Sequence, residues 1–190
     1  MKIALIRHGQ TDWNIQRRYQ GRLGLDLNEV GRLQAAEAAE TLRSAGRETE
    51  STWTWLASST AERAVRTAQI VGAAVGLAPS LEVEDLIERG FGVAEGMLID
   101  EARTRWPDRA YPGGESVDDV LTRALAAVDA IASANVGADG VIVSHGTVIR
   151  LVVGHVTGVD PGSLLNGSLT VLEGQPGDWR VVVHPVARHC

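Results

Sequence analysis

Ile3-Ala4-Leu5-Ile6-Arg7-His8-Gly9-Gln10-Thr11 stands near the start of the chain, and Val141-Ile142-Val143-Ser144-His145-Gly146 returns to the same order much later. Each begins with an apolar run suited to one buried strand. Each then gives a histidine and a glycine, and the second continues into a helical pattern. The carboxyl ends of strands are where a parallel sheet places its chemistry. A histidine of ordinary pKa, about 6.5, can attack phosphorus as a neutral imidazole. The arginine beside it offers a planar fork of donors that matches phosphate oxygens, and glycine lets backbone come close to a ligand. If the two strands are neighbours, His8 and His145 face one pocket, where one attacks and the other, protonated, balances charge on the phosphoryl group. The alternative is a pair of structural histidines at tight turns.

Working outward, strands and helices alternate. Residues 2–6 read as a strand. Asn28 caps a helix that runs through Leu33, Ala36 and Leu42 and stops near Gly46. Residues 53–57 read as a strand, and Ser59 with Glu62 as a capping box for a helix reaching about Val75. Ser116 with Asp119 opens a long helix through Val120, Ala124, Val128 and Ile131, and 141–143 is a buried strand. A helix follows from Gly146 through Ile149 and Val152. Strands near 168–173 and 179–184 flank a hairpin turn, Gln175-Pro176-Gly177-Asp178. The pattern predicts an α/β fold, a three-layer α/β/α sandwich on a mainly parallel sheet. The 190 residues suit a single domain. The least regular stretch, about 88–115, carries Gly90, Gly92, Gly96, Pro107, Pro112, Gly113 and Gly114 and reads as a lid or substrate loop.

Composition narrows the function. The formal net charge of −6 argues against nucleic acid as a partner, which would need a basic face. Any anion site is therefore a local concentration of arginine. Of 18 basic residues only Lys2 is a lysine, so a Gly-Lys-Ser/Thr phosphate loop is absent and Schiff-base chemistry has almost no candidate. The single cysteine, Cys190, allows no internal disulfide and no cysteine-rich metal site. No secretory signal or membrane-length apolar run is read, and the expected location is cytoplasmic. The expected partner is a small phosphorylated metabolite, and the expected state a monomer or homodimer.

Two further stretches could carry chemistry. In Ser58-Ser59-Thr60-Ala61-Glu62-Arg63-Ala64-Val65-Arg66-Thr67-Ala68 a strand ends, hydroxyl residues lead into a helix, and Arg63 sits in its first turn. A helix start already favours anions, and Arg63 suits that role better than Arg66. Glu88 is a candidate proton donor to a leaving alkoxide, with Glu82, Glu84, Asp85 and Glu95 as rivals. Arg89, Arg103, Arg105 and Arg109 read either as a second anion contact or as a solvated face. His155, His184 and His189 read as structural or exposed, and Trp53 and Trp55 as packing. Trp13 is placed beside the pocket by its neighbour Asn14.

Together Arg7-His8-Gly9, Asn14, Gln20-Gly21, Arg63, Glu88, Gly113-Gly114-Glu115-Ser116 and His145-Gly146 resemble the histidine phosphatase superfamily, the phosphoglycerate mutase-like family. The resemblance extends to about Asn166. It implies that His8 becomes phosphorylated, that Arg7, Arg63 and His145 form the phosphate pocket, and that Glu88 is the general acid. It also implies that Asn14 reaches the phosphate, that Gln20, Gly21 and Gly146 help bind substrate, and that neither cofactor nor metal is needed. Two departures stand out. Where the family usually has Leu-Asp-x-Pro-Leu-Thr, this chain has Leu23-Gly24-Leu25-Asp26-Leu27-Asn28. Where it usually has Gly-x-Trp-Glu-Gly, this chain has Gly92-Val93-Ala94-Glu95-Gly96, which removes an apolar wall beside the acid. The resemblance implies a phosphomonoester hydrolase. The alternatives are a phosphoglycerate mutase, disfavoured by the short 89–112 segment, and a non-catalytic phospho-ligand binding module.

Overall fold

A computed structural model of the chain describes residues 1–186, except for the side chains of 184–186. His189 and Cys190 lie outside the described residues, as does the His184 side chain. Six strands, β1 (Lys2–Arg7), β2 (Trp53–Ser59), β3 (Pro79–Val83), β4 (Asp139–Ser144), β5 (Leu169–Gln175) and β6 (Asp178–Val186), form one sheet in the order β3-β2-β4-β1-β5-β6. The first four in that order are parallel, and β5 and β6 join antiparallel. Among the described residues six α-helices accompany them: α1 (Asp12–Ile15), α2 (Glu29–Glu48), α3 (Glu62–Val75), α4 (Ile99–Arg105), α5 (Val117–Ala134) and α6 (Gly146–Thr157).

The strands explain the layers. Successive side chains leave a strand on opposite faces. Ile3 and Leu5 of β1 accordingly join Trp55, Ala57, Ile142 and Leu172 beneath Val120, Val128, Ile149 and Val152 of α5 and α6. Ala4 and Ile6 join Leu56, Val141, Val143 and Leu169 beneath Ala38, Leu42, Ala64 and Val71 of α2 and α3. Each fully buried Leu, Ile or Val contributes about 1.5–3 kcal/mol relative to exposure. Two apolar faces on one sheet need cover on both sides, which gives the three layers expected.

Two local readings are corrected. Ser59 does not cap α3: it is the last residue of β2, Ala61 occupies the N-cap without a side-chain bond, and Ser59 Oγ turns to a histidine instead. The helix expected to stop near Gly46 continues to Glu48, because Gly46 is a buried position against Trp53, whose indole a Cβ would meet at 3.0 Å. Ser116 caps α5 through a bond from Asp119 N (3.0 Å), and its hydroxyl donates to the Asp119 carboxylate. The edge strand β3, the four-residue α1 and α4 were not read from the sequence. Within 88–115, α4 lies beside a 3₁₀ turn at Gly92–Ala94.

The sheet brings the two histidine motifs together. β1 and β4 are adjacent, with Ile6 opposite Val143 and Arg7 opposite Ser144. The next residues leave the sheet side by side, and His8 N donates to Ser144 O at 3.0 Å.

Candidate active site

His8 and His145 meet edge to face, with ring centroids 5.2 Å apart. His8 Nδ1 lies 2.7 Å from Gly9 O. A carbonyl only accepts, so Nδ1 carries the proton and Nε2 of the neutral ring keeps its lone pair. Burial, then the charges of Arg63 and Arg7, hold His8 well below the ordinary histidine pKa, with the Gly9 carbonyl opposing them. Burial, Arg63, His8 and Arg7 do the same to His145. Both rings are therefore held toward the neutral form near pH 7.

The tautomer of His145 follows from its partner. Its Nε2 lies 2.8 Å from Ser59 Oγ, and that oxygen already accepts from Ala61 N at 3.2 Å. Among the described residues the hydroxyl proton has no acceptor but Nε2, so it is given there, which leaves the ring proton on Nδ1. That nitrogen is buried without a protein partner, as are Arg7 Nε and Arg63 Nε. Unpartnered buried donors are rare in folded proteins and call for an explanation.

The arginines are held by main chain. Arg7 Nη1 donates to Leu164 O. Arg63, fully buried, donates from Nη1 to Leu23 O (2.9 Å) and from Nη2 to Gly21 O (2.7 Å). Burial pushes Arg63 down to about 10, which still leaves it cationic at neutral pH, and burial also draws Arg7 down. Gly21 serves as an acceptor for Arg63 and does not line the cavity. Gly9 likewise does not line the cavity. A Cβ there would lie 2.2 Å from Gly31 O, and one at Gly31 would lie 2.1 Å from Gln10 O. The two glycines let the His8 loop lie against the first turn of α2, and Thr67 Oγ1 accepts from Gly9 N at 3.1 Å.

A cavity of ≈ 380 Å³ opens here, lined in part by Arg7, His8, Asn14, Gln20, Arg63, Glu88 and Gly146. Asn14 Oδ1 accepts from Thr11 N (3.0 Å) and Asn166 Nδ2 (3.2 Å), so its amide nitrogen is the group left for a ligand. Gln20 Oε1 accepts from Thr11 Oγ1 at 2.9 Å. Glu88 is buried, with its oxygens accepting from Arg89 N (2.8 Å) and Thr147 N (3.3 Å) at the start of α6. Its rivals Glu82, Glu84 and Asp85 are exposed, and Glu95 accepts from Phe91 N and Arg22 N.

Four positioning groups escaped the sequence reading. Ser59 was assigned to a cap. Asn166 Nδ2 also reaches His8 O at 3.0 Å, and Thr67 supports Gly9. Arg123 grips the segment before the acid, donating to Asp85 O and Ile87 O at 2.7 Å each and to Glu88 O at 3.3 Å, with a two-point pair to Glu115. A lone basic residue of α5, next to the buried positions Val120 and Ala124, was the available signal for Arg123.

Both departures from the family pattern have local answers. Asp26, in the place of the proline, accepts from Leu27 N (2.7 Å) and Arg32 (2.6 Å), with Arg66 Nε at 3.7 Å. Ala94 is buried beside Phe91, Ala102 and Tyr111. There the wall is rebuilt by Tyr19 stacked on Phe91 (4.2 Å) and by Tyr19 and Tyr111 joined hydroxyl to hydroxyl (2.8 Å). Trp13 is not at the cavity; its ring covers Gly96. Among the described residues no cluster of three or more His, Cys, Asp or Glu is placed to hold a metal, and no helix is long and apolar enough to cross a membrane.

Residues 3–186 match the family model of the histidine phosphatase superfamily (branch 1). The chain is 32% identical over 191 residues to an uncharacterized phosphatase, PhoE, of Bacillus subtilis (strain 168), covering 98% of this chain and 95% of that one. It is 34% identical to a metal-independent phosphoserine phosphatase of Arabidopsis thaliana, covering 94% of this chain and 78% of that one. A mycobacterial glucosyl-3-phosphoglycerate phosphatase, solved with VO3, superposes with a TM-score of 0.83 at 29% identity, covering 98% of this chain and 99% of that one. The chain belongs to the histidine phosphatase superfamily.

Proposed function

We propose that this member of the superfamily hydrolyses a small phosphomonoester through a phosphohistidine on His8. The observation that carries the reading is the His8 ring, neutral and tied at Nδ1 to Gly9 O, beside three buried nitrogens with no protein partner, on Arg7, Arg63 and His145. A nucleophile needs its lone pair free, and a phosphoryl group needs donors where its charge develops.

His8 Nε2 attacks phosphorus, the P–O ester bond breaks, and Glu88 gives its proton to the leaving oxygen. Glu88 then takes a proton from water as the water oxygen attacks phosphorus. The P–N bond breaks, inorganic phosphate leaves, and His8 and Glu88 return to their starting states. Arg7, Arg63, His145 Nδ1–H and the Asn14 amide stabilise the non-bridging oxygens, in a role that preorganised donors fill without reorganising. In this reading the protein's own cations supply the charge.

Brief incubation with a phosphorus-32 labelled phosphomonoester, followed by alkaline denaturation, is expected to leave label on His8 that is stable to base and lost in acid. Turnover by a clean His8→Ala enzyme overturns the mechanism. Incubation with 3-phosphoglycerate separates hydrolysis, which releases phosphate, from mutase exchange between its hydroxyls.

A further inference from the structure

Glu95 is half-buried and does not line the cavity, so it touches no substrate held there. Its contacts point to another role. Residues 17–19 and 96–99 run alongside each other, with Ile99 N on Arg17 O (2.8 Å), Tyr19 N on Met97 O (3.1 Å) and Gly96 N on Tyr19 O (2.8 Å). That pairing carries the Glu95 side chain against the bend that follows Gln20. A Cβ at Gly21, whose φ is +53°, would stand 1.9 Å from Glu95 Oε1.

One oxygen serves two segments. Glu95 Oε1 accepts from Arg22 N (3.3 Å), in the bend, and from Phe91 N (3.1 Å), in the segment that begins with the proton donor Glu88. A second carboxylate repeats the arrangement. Glu115 Oε2 accepts from Gly90 N (3.3 Å) and lies 3.5 Å from Arg22 Nη2. Successive amides of the acid segment, Gly90 and Phe91, are thus each joined through a shared oxygen to Arg22, once at its guanidinium and once at its main chain.

The bend also holds the cation. Gly21 O and Leu23 O accept from Arg63 Nη2 (2.7 Å) and Nη1 (2.9 Å), and Arg22 stands between those two acceptors. A continuous path therefore runs from the acid segment through Phe91 N, Glu95 Oε1 and Arg22 N to the carbonyls that grip Arg63. Burial lowers the Arg63 pKa while the charges of Glu88 and Glu95 oppose it, so both carboxylates lie within electrostatic reach of the guanidinium.

The two bridges are unequal. The Arg22–Glu115 pair is long and its arginine half-exposed, the kind of ion pair that contributes little. The Glu95 bridge is made to main-chain N–H groups, which a change of rotamer cannot carry away.

We infer that Glu95 is a positioning residue, whose side-chain reach fixes the proton donor Glu88 and the phosphate-binding Arg63 relative to each other. The inference rests on the phosphatase reading for what those two groups do. The phosphorus and the leaving oxygen of an ester are bonded neighbours, so a donor and a cation that drift apart cannot serve both. A misplacement of about 1 Å can cost about a hundredfold in rate.

Two readouts report the two ends separately, each taken well below the Tm of the variant. The Ki of inorganic phosphate reports Arg63, because no leaving group is present. The ratio of kcat/KM for glycerol 3-phosphate to that for 4-nitrophenyl phosphate reports Glu88, because the first leaving oxygen has the greater need of a proton. Glu95→Ala is expected to raise Ki about tenfold and to lower the ratio about tenfold, the scale of one charged hydrogen bond. Glu95→Gln keeps the length and an accepting oxygen, and should stay within about threefold of wild type in both. Glu95→Asp keeps the charge but loses the reach, and should follow alanine. Arg22→Ala keeps its amide and should resemble wild type. If Glu95→Ala does not fold, the aspartate and glutamine variants carry the comparison.

The reverse order, with aspartate active and glutamine deficient, overturns the inference and leaves the hydrolase reading intact. So does a change in only one readout, or in neither. If the wild-type enzyme turns over neither ester, the hydrolase reading fails, and calorimetric titration with inorganic phosphate decides the bridge. Binding weakened by Glu95→Asp and retained by Glu95→Gln supports it; equal binding in both variants and the wild type overturns it.

Discussion

Ser59 Oγ accepts from Ala61 N and stands 2.8 Å from His145 Nε2, the one acceptor among the described residues for its own proton. The hydroxyl thus decides which edge of the imidazole carries a proton. In Ser59→Ala the opposite tautomer becomes available and Nδ1 turns a lone pair toward phosphoryl oxygens. We expect kcat/KM to fall about tenfold, the scale of one misdirected hydrogen bond. Nitrogen-15 NMR of labelled histidine should find His145 neutral with its proton on Nδ1 in the wild type and a mixed population in the variant. A wild-type ring protonated on Nε2 overturns the assignment.

The two buried histidines give stability a definite pH dependence. Burial and the arginines hold both well below the ordinary value, so between about pH 6.5 and their folded values the unfolded chain binds more protons. Stability is therefore full above about pH 6.5 and declines as pH falls, by up to about 1.4 kcal/mol per pH unit for each ring. Urea titrations from pH 7 to pH 5 should show this slope, and His145→Gln should remove about one proton's share of it. A slope unchanged in that variant contradicts the buried neutral state.

Gly31→Ala is expected to damage both fold and activity. Its new Cβ would meet Gln10 O at 2.1 Å, main chain that cannot swing aside. Overpacking of this kind costs about 1–3 kcal/mol, and here the displaced loop is the one carrying His8. Thermal melts should show the loss, and activity measured well below the lowered Tm should remain depressed. Full activity there means that the loop tolerates the shift.

Arg123→Ala should act on the proton donor. Without it the carbonyls of Asp85, Ile87 and Glu88 lose their common clamp, and a displacement of about 1 Å can cost about a hundredfold in rate. The loss should depend on the leaving group. A phosphate ester of glycerol needs its leaving oxygen protonated, whereas 4-nitrophenyl phosphate has a much better leaving group. The expected result is a larger fall in kcat for the first than for the second. Equal losses point to a general structural defect.

The alternation of β1, α2, β2, α3 and the late strands was legible because each carries a periodic apolar face and a stop. The joint position of His8 and His145 was legible because both follow the same strand grammar. β3 escaped because Pro79-Ser80-Leu81-Glu82 lies at the sheet edge, largely exposed, and shows no buried face. α4 escaped because it buries only Ala102 among its seven residues. Ser59 was misread because a hydroxyl before an acidic first turn fits a cap equally well, and only the adjacency of β2 and β4 shows His145 beside it. The wall facing Ala94 was invisible for a similar reason: Tyr19 and Phe91 are far apart in sequence and meet only after folding.

Arg63 holds the Gly21–Leu23 bend through hydrogen bonds to two carbonyl oxygens. Every amino acid supplies that acceptor. The stretch that follows can therefore change its letters without removing the acceptors that hold this cation, and Gly24 and Asp26 are such changes. The cation at the foot of the cavity is in this way anchored to atoms that side-chain substitution does not alter.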